Sequence, residues 1–256
     1  MEHGIAIVTG AAGGIGAVIA RALGECGVLP AVVDRDAERL DAVVGELARD
    51  GIKARAFPCD VGAADAVEAL VAAVEEELGP VRYLVNAAGV LRLGPIVELT
   101  AADWVSTFAV NAAGVFLVSQ AVARRMVARR AGAIVTVASN AADVPRVGMG
   151  AYGASKAAAT MFTKTLGLEL AAAGIRCNVV APGSTDSPML RGMWNGPGGR
   201  AATIDGDQAA YRVGIPLRRI AEPRDVADAV LFLLGDAAAH ITMHELVVDG
   251  GAALGA

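Results

Sequence analysis

The 256 residues carry a net charge of −5, 19 arginines against three lysines, and 55% apolar side chains. A chain of this length buries one sizeable core, and its acidity argues against a nucleic-acid or anionic-membrane surface, because phosphate binding rests on clustered cations. No run reaches the roughly 18 uninterrupted apolar residues of a membrane span, and the N-terminus has no basic segment leading into an apolar stretch, which makes the cytoplasm the expected location.

In chain order, short β-branched runs alternate with Ala/Leu/Glu-rich amphipathic segments, the pattern of a parallel sheet with helical crossovers. IAIVTG leads into a helix over 14–26, PAVVD into 36–49, IKARAF into 63–78, VRYLVN into 103–129 and GAIVTVAS into 151–173. IRCNVVAP then passes through an irregular stretch to a helix over 223–234 and a last strand, ELVVDGG. Right-handed crossovers between seven strands predict one doubly wound α/β domain over 1–256, a seven-stranded parallel sheet with three helices on each face. The irregular stretch, RGMWNGPGGRAATIDGDQAAYRVGI, holds six glycines and a proline. With the residues just before it, it reads as a mobile lid over about 188–215, placed after a strand end, where such folds bind ligands.

Arg124, Arg125, Arg129 and Arg130 crowd the end of helix 103–129, where cations complement the helix dipole. Cys26, Cys59 and Cys177 lie far apart without CxxC spacing, which fits reduced thiols better than disulfides or a metal site. His240 and His244 stand four apart, but HITMHELVVDG alternates like a strand and supplies no third ligand, so no metal is expected.

The first strand runs into TGAAGGIG, with Gly10, Gly14 and Gly16 at a strand-to-helix turn. Glycines there allow unusual backbone angles and let the chain approach a phosphate at the helix N-terminus. The second strand ends at Asp34, near the spacing at which a carboxylate meets the adenine ribose of a dinucleotide. A carboxylate accepts bonds from a ribose diol and repels a 2′-phosphate, so NAD is expected over NADP; Arg35 is the neighbour that would favour the phosphate. Asp60 follows the third strand in CDV, and NAAG (86–89) follows the fourth, both on the strand edge where a dinucleotide lies.

TGAAGGIG, NAAG, Asn111, Ser139, YGASK and Pro182-Gly183, in this order and spacing, resemble the short-chain dehydrogenase/reductase family across essentially the whole chain. The resemblance implies a Rossmann domain and a catalytic group of Asn111, Ser139, Tyr152 and Lys156. It places Asp60 at adenine, the backbone after Pro182, at Gly183, at nicotinamide, and Ser187 at the carboxamide, where most members carry threonine. Ile15, Val61, Asn86 and Gly89 complete the implied cofactor contacts, with Tyr152 and Lys156 touching the cofactor as well. Family members are commonly tetramers built through two long helices, here 103–129 and 151–173, and the last strand, so a homotetramer is expected. VASNAADVPRVGMGAYGASKAA, RCNVVAPGSTDSPM and HITMHELVVDGGAALGA are closer still to the members that oxidise dihydro-dihydroxy ring carboxylates in catechol siderophore biosynthesis. Thr242-Met243 stands where most members have Thr-Gly.

The residues themselves supply a chemistry. Oxidising a secondary alcohol requires a base for its hydroxyl proton, and a tyrosine with a pKa near 10 needs a neighbouring ammonium to act at neutral pH. Lys156 lies one helical turn from Tyr152, and a compact ammonium with three turning donors serves both phenol and ribose where a planar guanidinium does not. Ser139 is placed to hydrogen-bond the substrate oxygen, and Asn111 to support a water that links Lys156 to solvent. A carboxylate on the substrate calls for a guanidinium fork, with Arg146 and Arg191 as candidates, and Met189, Met193 and Trp194 as the apolar wall around a ring. The rival readings are an amino-substituted analogue of the same ring, a ketone or acyl reductase, and a non-catalytic dinucleotide-binding protein. Asp34 speaks against the reductase, which usually takes NADP, and the intact catalytic set speaks against the non-catalytic protein.

Overall fold

The computed structural model describes residues 3–194, 196 and 198–255. The first half alternates β1 (Ile5–Thr9), α1 (Gly14–Glu25), β2 (Leu29–Asp34), α2 (Ala37–Arg49), β3 (Arg55–Pro58), α3 (Ala64–Leu78) and β4 (Val81–Asn86). A long helical passage follows, α4 (Ala101–Phe108) and α5 (Val115–Arg129), then β5 (Gly132–Val137), α6 (Gly150–Leu170) and β6 (Ile175–Pro182). Two short helices, α7 (Pro188–Arg191) and α8 (Gly199–Asp205), and a two-stranded ribbon, β7 (Gly206–Asp207) with β8 (Arg212–Val213), precede α9 (Pro223–Leu234) and β9 (Glu245–Val248).

The sheet order is β3-β2-β1-β4-β5-β6-β9, with every pair parallel. The period-two alternation of strand side chains divides the core in two. Ala6, Val8, Val32, Val85, Val135 and Val180 face Ile19 and Leu23 of α1, Leu40 of α2 and Val230 and Leu233 of α9. Ile7, Val33, Leu84 and Ile134 face Leu70 and Val74 of α3, Val118 and Met126 of α5 and Leu166 of α6. Three helices thus cover each face, as the crossover rule requires. The strand order reverses between β1 and β4, and the carboxyl ends of the strands open there as a crevice.

Helix starts follow local chemistry. Asp36 accepts from the Arg39 N–H at 3.1 Å to cap α2, and Thr100 accepts from the Asp103 N–H at 3.0 Å to cap α4; each such cap contributes about 1 kcal/mol. At α9, Pro223 stands in the first turn and the Asp225 carboxylate accepts from the Glu222 N–H at 2.8 Å. The basic cluster ending α5 pins that helix to α3: Arg124 pairs with Glu68 and Arg129 with Glu75, both at 2.8 Å, while Arg130 donates to the Ala172 carbonyl.

Three expectations are revised. The helix predicted over 103–129 is broken by a π-helical turn at Ala109–Gly114, a single-turn insertion of the kind that clusters at functional sites. The stretch Ala101–Arg129 is long and apolar enough to cross a membrane, yet it packs against α3 and α6 as a core helix. The glycine-rich segment holds regular structure from Gly199 to Asp207 and at Arg212–Val213: at Gly206 (φ +90) a Cβ would sit 2.5 Å from the Arg212 carbonyl oxygen, so this glycine closes the ribbon. Finally, HITMHELVVDG is extended only from Glu245. Met243 takes a left-handed φ of +60, its N–H held on the Cys177 carbonyl at 2.7 Å. His240 and His244 are both exposed, and among the described residues no group of three or more His, Cys, Asp or Glu side chains is placed to hold a metal.

Candidate active site

Two clefts sharing Ile15, Ala87, Gly89, Ser187 and Met189 form one groove along the carboxyl ends of the strands. The first, about 360 Å³, is walled by Gly10, Gly14, Ile15, Gly16, Asp34, Asp60, Val61 and Gly89. Gly10 (φ +69) lets the turn lie against the β4 end, since a Cβ there would come within 2.7 Å of the Ala88 backbone. At Gly16 a Cβ would land on the Gly10 carbonyl, 2.8 Å from its carbon. These two absences of a side chain make the cradle in which a dinucleotide backbone fits. Asp34 is held at the groove by the Ala12 N–H on Oδ2 (3.3 Å) and the Asp36 N–H on Oδ1 (3.2 Å), with Arg35 and Arg39 on the same wall. Asp60 Oδ1 accepts from the Gly62 N–H at 2.9 Å.

Asn86 does not belong to this wall. Its side chain is buried behind it, Nδ2 donating to Ser119 Oγ at 2.9 Å and Thr136 Oγ1 at 3.4 Å, which ties β4 to α5 and β5. The groove is built by the residues that follow it, whose backbone is braced by Thr9: its hydroxyl accepts from the Ala87 and Ala88 N–H groups at 3.1 and 3.2 Å.

The second cleft, about 500 Å³, gathers Ser139, Tyr152, Lys156, Pro182 and Gly183 with Met189, Met193, Arg146 and Arg212. Ser139 lies two residues past the end of β5, and its hydroxyl hydrogen-bonds the Tyr152 phenol while accepting from the Ala141 N–H at 3.1 Å. Lys156 is 5% exposed, donates to the Val137 carbonyl at 2.9 Å, and holds its ammonium 5.8 Å from the centroid of the Tyr152 ring. The π-turn aims Asn111 into this cluster. Its Oδ1 accepts from the Val90 N–H at 2.8 Å, and its Nδ2 donates to the Val90 carbonyl at 2.9 Å and to Ser155 Oγ at 3.0 Å.

The electrostatics differ from the expectation that the ammonium lowers the phenol. Burial pushes Tyr152 above its ordinary value and the Ser139 hydrogen bond pulls it partly back. Burial also pushes Lys156 down to about 8, because an ammonium with a carbonyl as its partner loses more solvation than it regains.

Of the substrate candidates, Arg146, Met189 and Met193 line the cavity. Arg191 does not: it is 62% exposed and paired with Asp186, Nε to Oδ1 at 2.7 Å, which holds the Asp186 carboxyl below the usual range. Trp194 turns inward, Nε1 donating to Thr203 Oγ1 at 3.1 Å beside Leu190 and Ile215. Arg212 was not legible in the sequence, since nothing in QAAYRVG marks it out from a surface arginine. Asp249 carries no such mark in VVDGG either. Its carboxylate accepts from Asn140 Nδ2 (3.0 Å) and the Gly251 and Ala253 N–H groups (2.8 and 2.7 Å), joining the residue after Ser139 to the C-terminal loop.

Residues 4–197 match the short chain dehydrogenase family. The chain is 51% identical over 255 residues to the 2,3-dihydro-2,3-dihydroxybenzoate dehydrogenase of Bacillus subtilis, covering 100% of this chain and 98% of that one. It is 51% identical over 173 residues to the Escherichia coli dehydrogenase of the same name, covering 68% and 70%. Among solved structures it is similar to an actinorhodin polyketide ketoreductase variant with NADPH, at a TM-score of 0.90 and 38% identity over 98% of this chain and 97% of that one. With a dinucleotide cradle at the switch point and a Ser-Tyr-Lys group in the adjoining cavity, the chain belongs to the short-chain dehydrogenase family and is an oxidoreductase of the kind that uses a nicotinamide cofactor.

Proposed function

We propose that this chain catalyses the NAD-dependent oxidation of 2,3-dihydro-2,3-dihydroxybenzoate to 2,3-dihydroxybenzoate. The observation that carries this reading is the position of Arg146, which shares one cavity with Ser139 and Tyr152 and offers a guanidinium to a ring carboxylate. The identity to dehydrogenases of that name supports it.

Gly10, Gly14, Gly16, Asp34 and Asp60 would hold the dinucleotide, with Pro182, Gly183 and Ser187 at its reactive end. The bound cofactor supplies the hydride acceptor. Tyr152 takes the proton of the ring hydroxyl, Ser139 donates to the same oxygen as it gains carbonyl character, and Lys156, with a pKa of about 8, exchanges a proton near neutral pH. Met189 and Met193 give the ring an apolar surface. Tautomerisation of the ketone to an aromatic ring draws the reaction forward. The Asp34 carboxylate on the wall of the first cleft supports NAD over NADP, since it would accept from a ribose diol and repel a 2′-phosphate. Met189, Leu190, Met193, Thr203 and Arg212, which line the same cavity, would cover the substrate as a lid.

The test is to mix protein with the ring diol acid and either NAD or NADP, and to follow absorbance of the reduced nicotinamide. Rapid reduction of NAD is expected; oxidation of simple alcohols without turnover of the diol acid would overturn the reading.

We further propose a homotetramer through α4, α5, α6 and β9, supported by exposed Trp104, Val105, Phe116, Met161 and Leu168 on those helices and by the unpaired edge of β9. Light scattering at the mass of four chains is expected.

A further inference from the structure

We propose that Arg212, on the lid ribbon, is the second guanidinium of a two-arginine clamp for the substrate carboxylate, acting with Arg146 to set specificity for a ring acid over an uncharged ring diol. The inference rests on the carboxylate reading above and assigns to it a residue from a separate element.

Arg146 comes from the loop after β5 and Arg212 from β8, and both line the cavity that holds Ser139 and Tyr152. Their protein contacts are long and few. Arg146 Nη2 reaches the Ala252 carbonyl at 3.4 Å, and Arg212 Nη2 reaches the carbonyls of Ala202 and Thr203 at 3.4 and 3.3 Å. A guanidinium has five N–H donors, so most of each fork remains for a ligand. Among the described residues neither arginine has a carboxylate within 4 Å, whereas Arg191, Arg218, Arg219 and Arg224 are all paired. The two acids nearby are occupied: Asp249 accepts from Asn140, Gly251 and Ala253, and Asp207, on the cavity wall, caps the Ala209 and Ala210 N–H groups.

Two like charges lining one cavity repel each other, and burial costs Arg146 part of its hydration. Burial first, and the Arg212 charge second, lower the pKa of Arg146, with Asp249 opposing. A carboxylate shared between the two forks removes both penalties at once. An uncharged diol removes neither, so discrimination between the two ligands arises from the same pair that binds the acid.

The experiment compares wild type, Arg212→Gln, Arg212→Lys and Arg146→Gln on two substrates, the ring diol acid and the corresponding cyclohexadiene diol without a carboxylate, at saturating NAD. Arg212→Gln is expected to lower the ratio of kcat/KM for acid over uncharged diol by about 10- to 100-fold, the range for losing a charge-assisted hydrogen bond. The loss should fall mainly on KM for the acid, and Arg212→Lys should recover part of it. Benzoate, which has the carboxylate but no oxidisable hydroxyl, gives a readout without turnover: its inhibition constant should rise by a similar factor. An equal loss on both substrates would mean that Arg212 only shapes the ribbon, and an unchanged ratio would remove it from the site; either overturns the clamp. Arg146→Gln separates the two ideas: a selective loss there with none at Arg212 leaves the carboxylate reading standing and the clamp refuted. No selective loss in either variant, with no wild-type preference for the acid, refutes the carboxylate reading itself.

Discussion

Asn111 grips the backbone of Val90 from both sides, its Oδ1 accepting from the Val90 N–H at 2.8 Å and its Nδ2 donating to the Val90 carbonyl at 2.9 Å. Val90 directly follows the NAAG turn, so this side chain fastens the π-turn of one helix to the wall between the two clefts. Asn111→Ala strands a largely enclosed N–H and carbonyl. It should cost about 2–4 kcal/mol in urea unfolding and lower turnover at least tenfold; full stability would refute the bracing role.

Tyr152→Phe keeps the ring and removes the phenol. Turnover should fall by about 10²- to 10⁴-fold, the range for losing a general acid or base, while the dissociation constant for the dinucleotide, read by fluorescence titration, stays within about threefold. Retained turnover would remove Tyr152 as the base.

Ser139 lowers the phenol pKa through its hydrogen bond, opposing burial. Ser139→Ala should therefore move the alkaline-rising limb of the kcat/KM profile to higher pH as well as reduce its plateau. A loss of rate with an unmoved limb would mean that Ser139 acts on the substrate alone.

Lys156 carries a linkage signature. Burial lowers its pKa from 10.5 to about 8, so between those values the folded protein binds fewer protons than the unfolded chain, and this residue's contribution to stability rises with pH. Below pH 8 the buried charge costs about 3 kcal/mol. Lys156→Met should be inactive yet more stable than wild type at pH 7, by that amount less about 1 kcal/mol for the Val137 hydrogen bond. The gap should shrink as pH climbs from 8 towards 10. Comparing the two proteins cancels Tyr152, Cys59 and Cys177, whose raised values act in the opposite sense; a gap that does not change with pH would contradict the assignment.

Gly16→Ala and Gly13→Ala form a matched pair. A Cβ at Gly16 meets the Gly10 carbonyl, whereas one at Gly13 meets nothing within 4 Å. The first should lower the melting temperature by several degrees and abolish dinucleotide binding, and the second should leave the melting temperature nearly unchanged. Equal effects would deny that the turn is limited by backbone approach.

The order of strands and helices, the glycine turn and the Tyr-x-x-x-Lys spacing were determined by the sequence itself, because each depends on local periodicity or on residues a turn apart. The same locality limits what it conveys. Asn86 sits beside groove residues in NAAG, and strand alternation turns its side chain towards Ser119 and Thr136. The glycines of 191–215 give no sign of the ribbon, because Gly206 serves a tight crossing that exists only once β7 meets β8. Arg191 and Arg212 are equivalent on paper; folding sets one against Asp186 and the other in the cavity with Arg146. Whether an arginine is quenched by a carboxylate or left to bind one depends on contacts between distant segments and on the solvation lost at each site, and only the tertiary structure decides both.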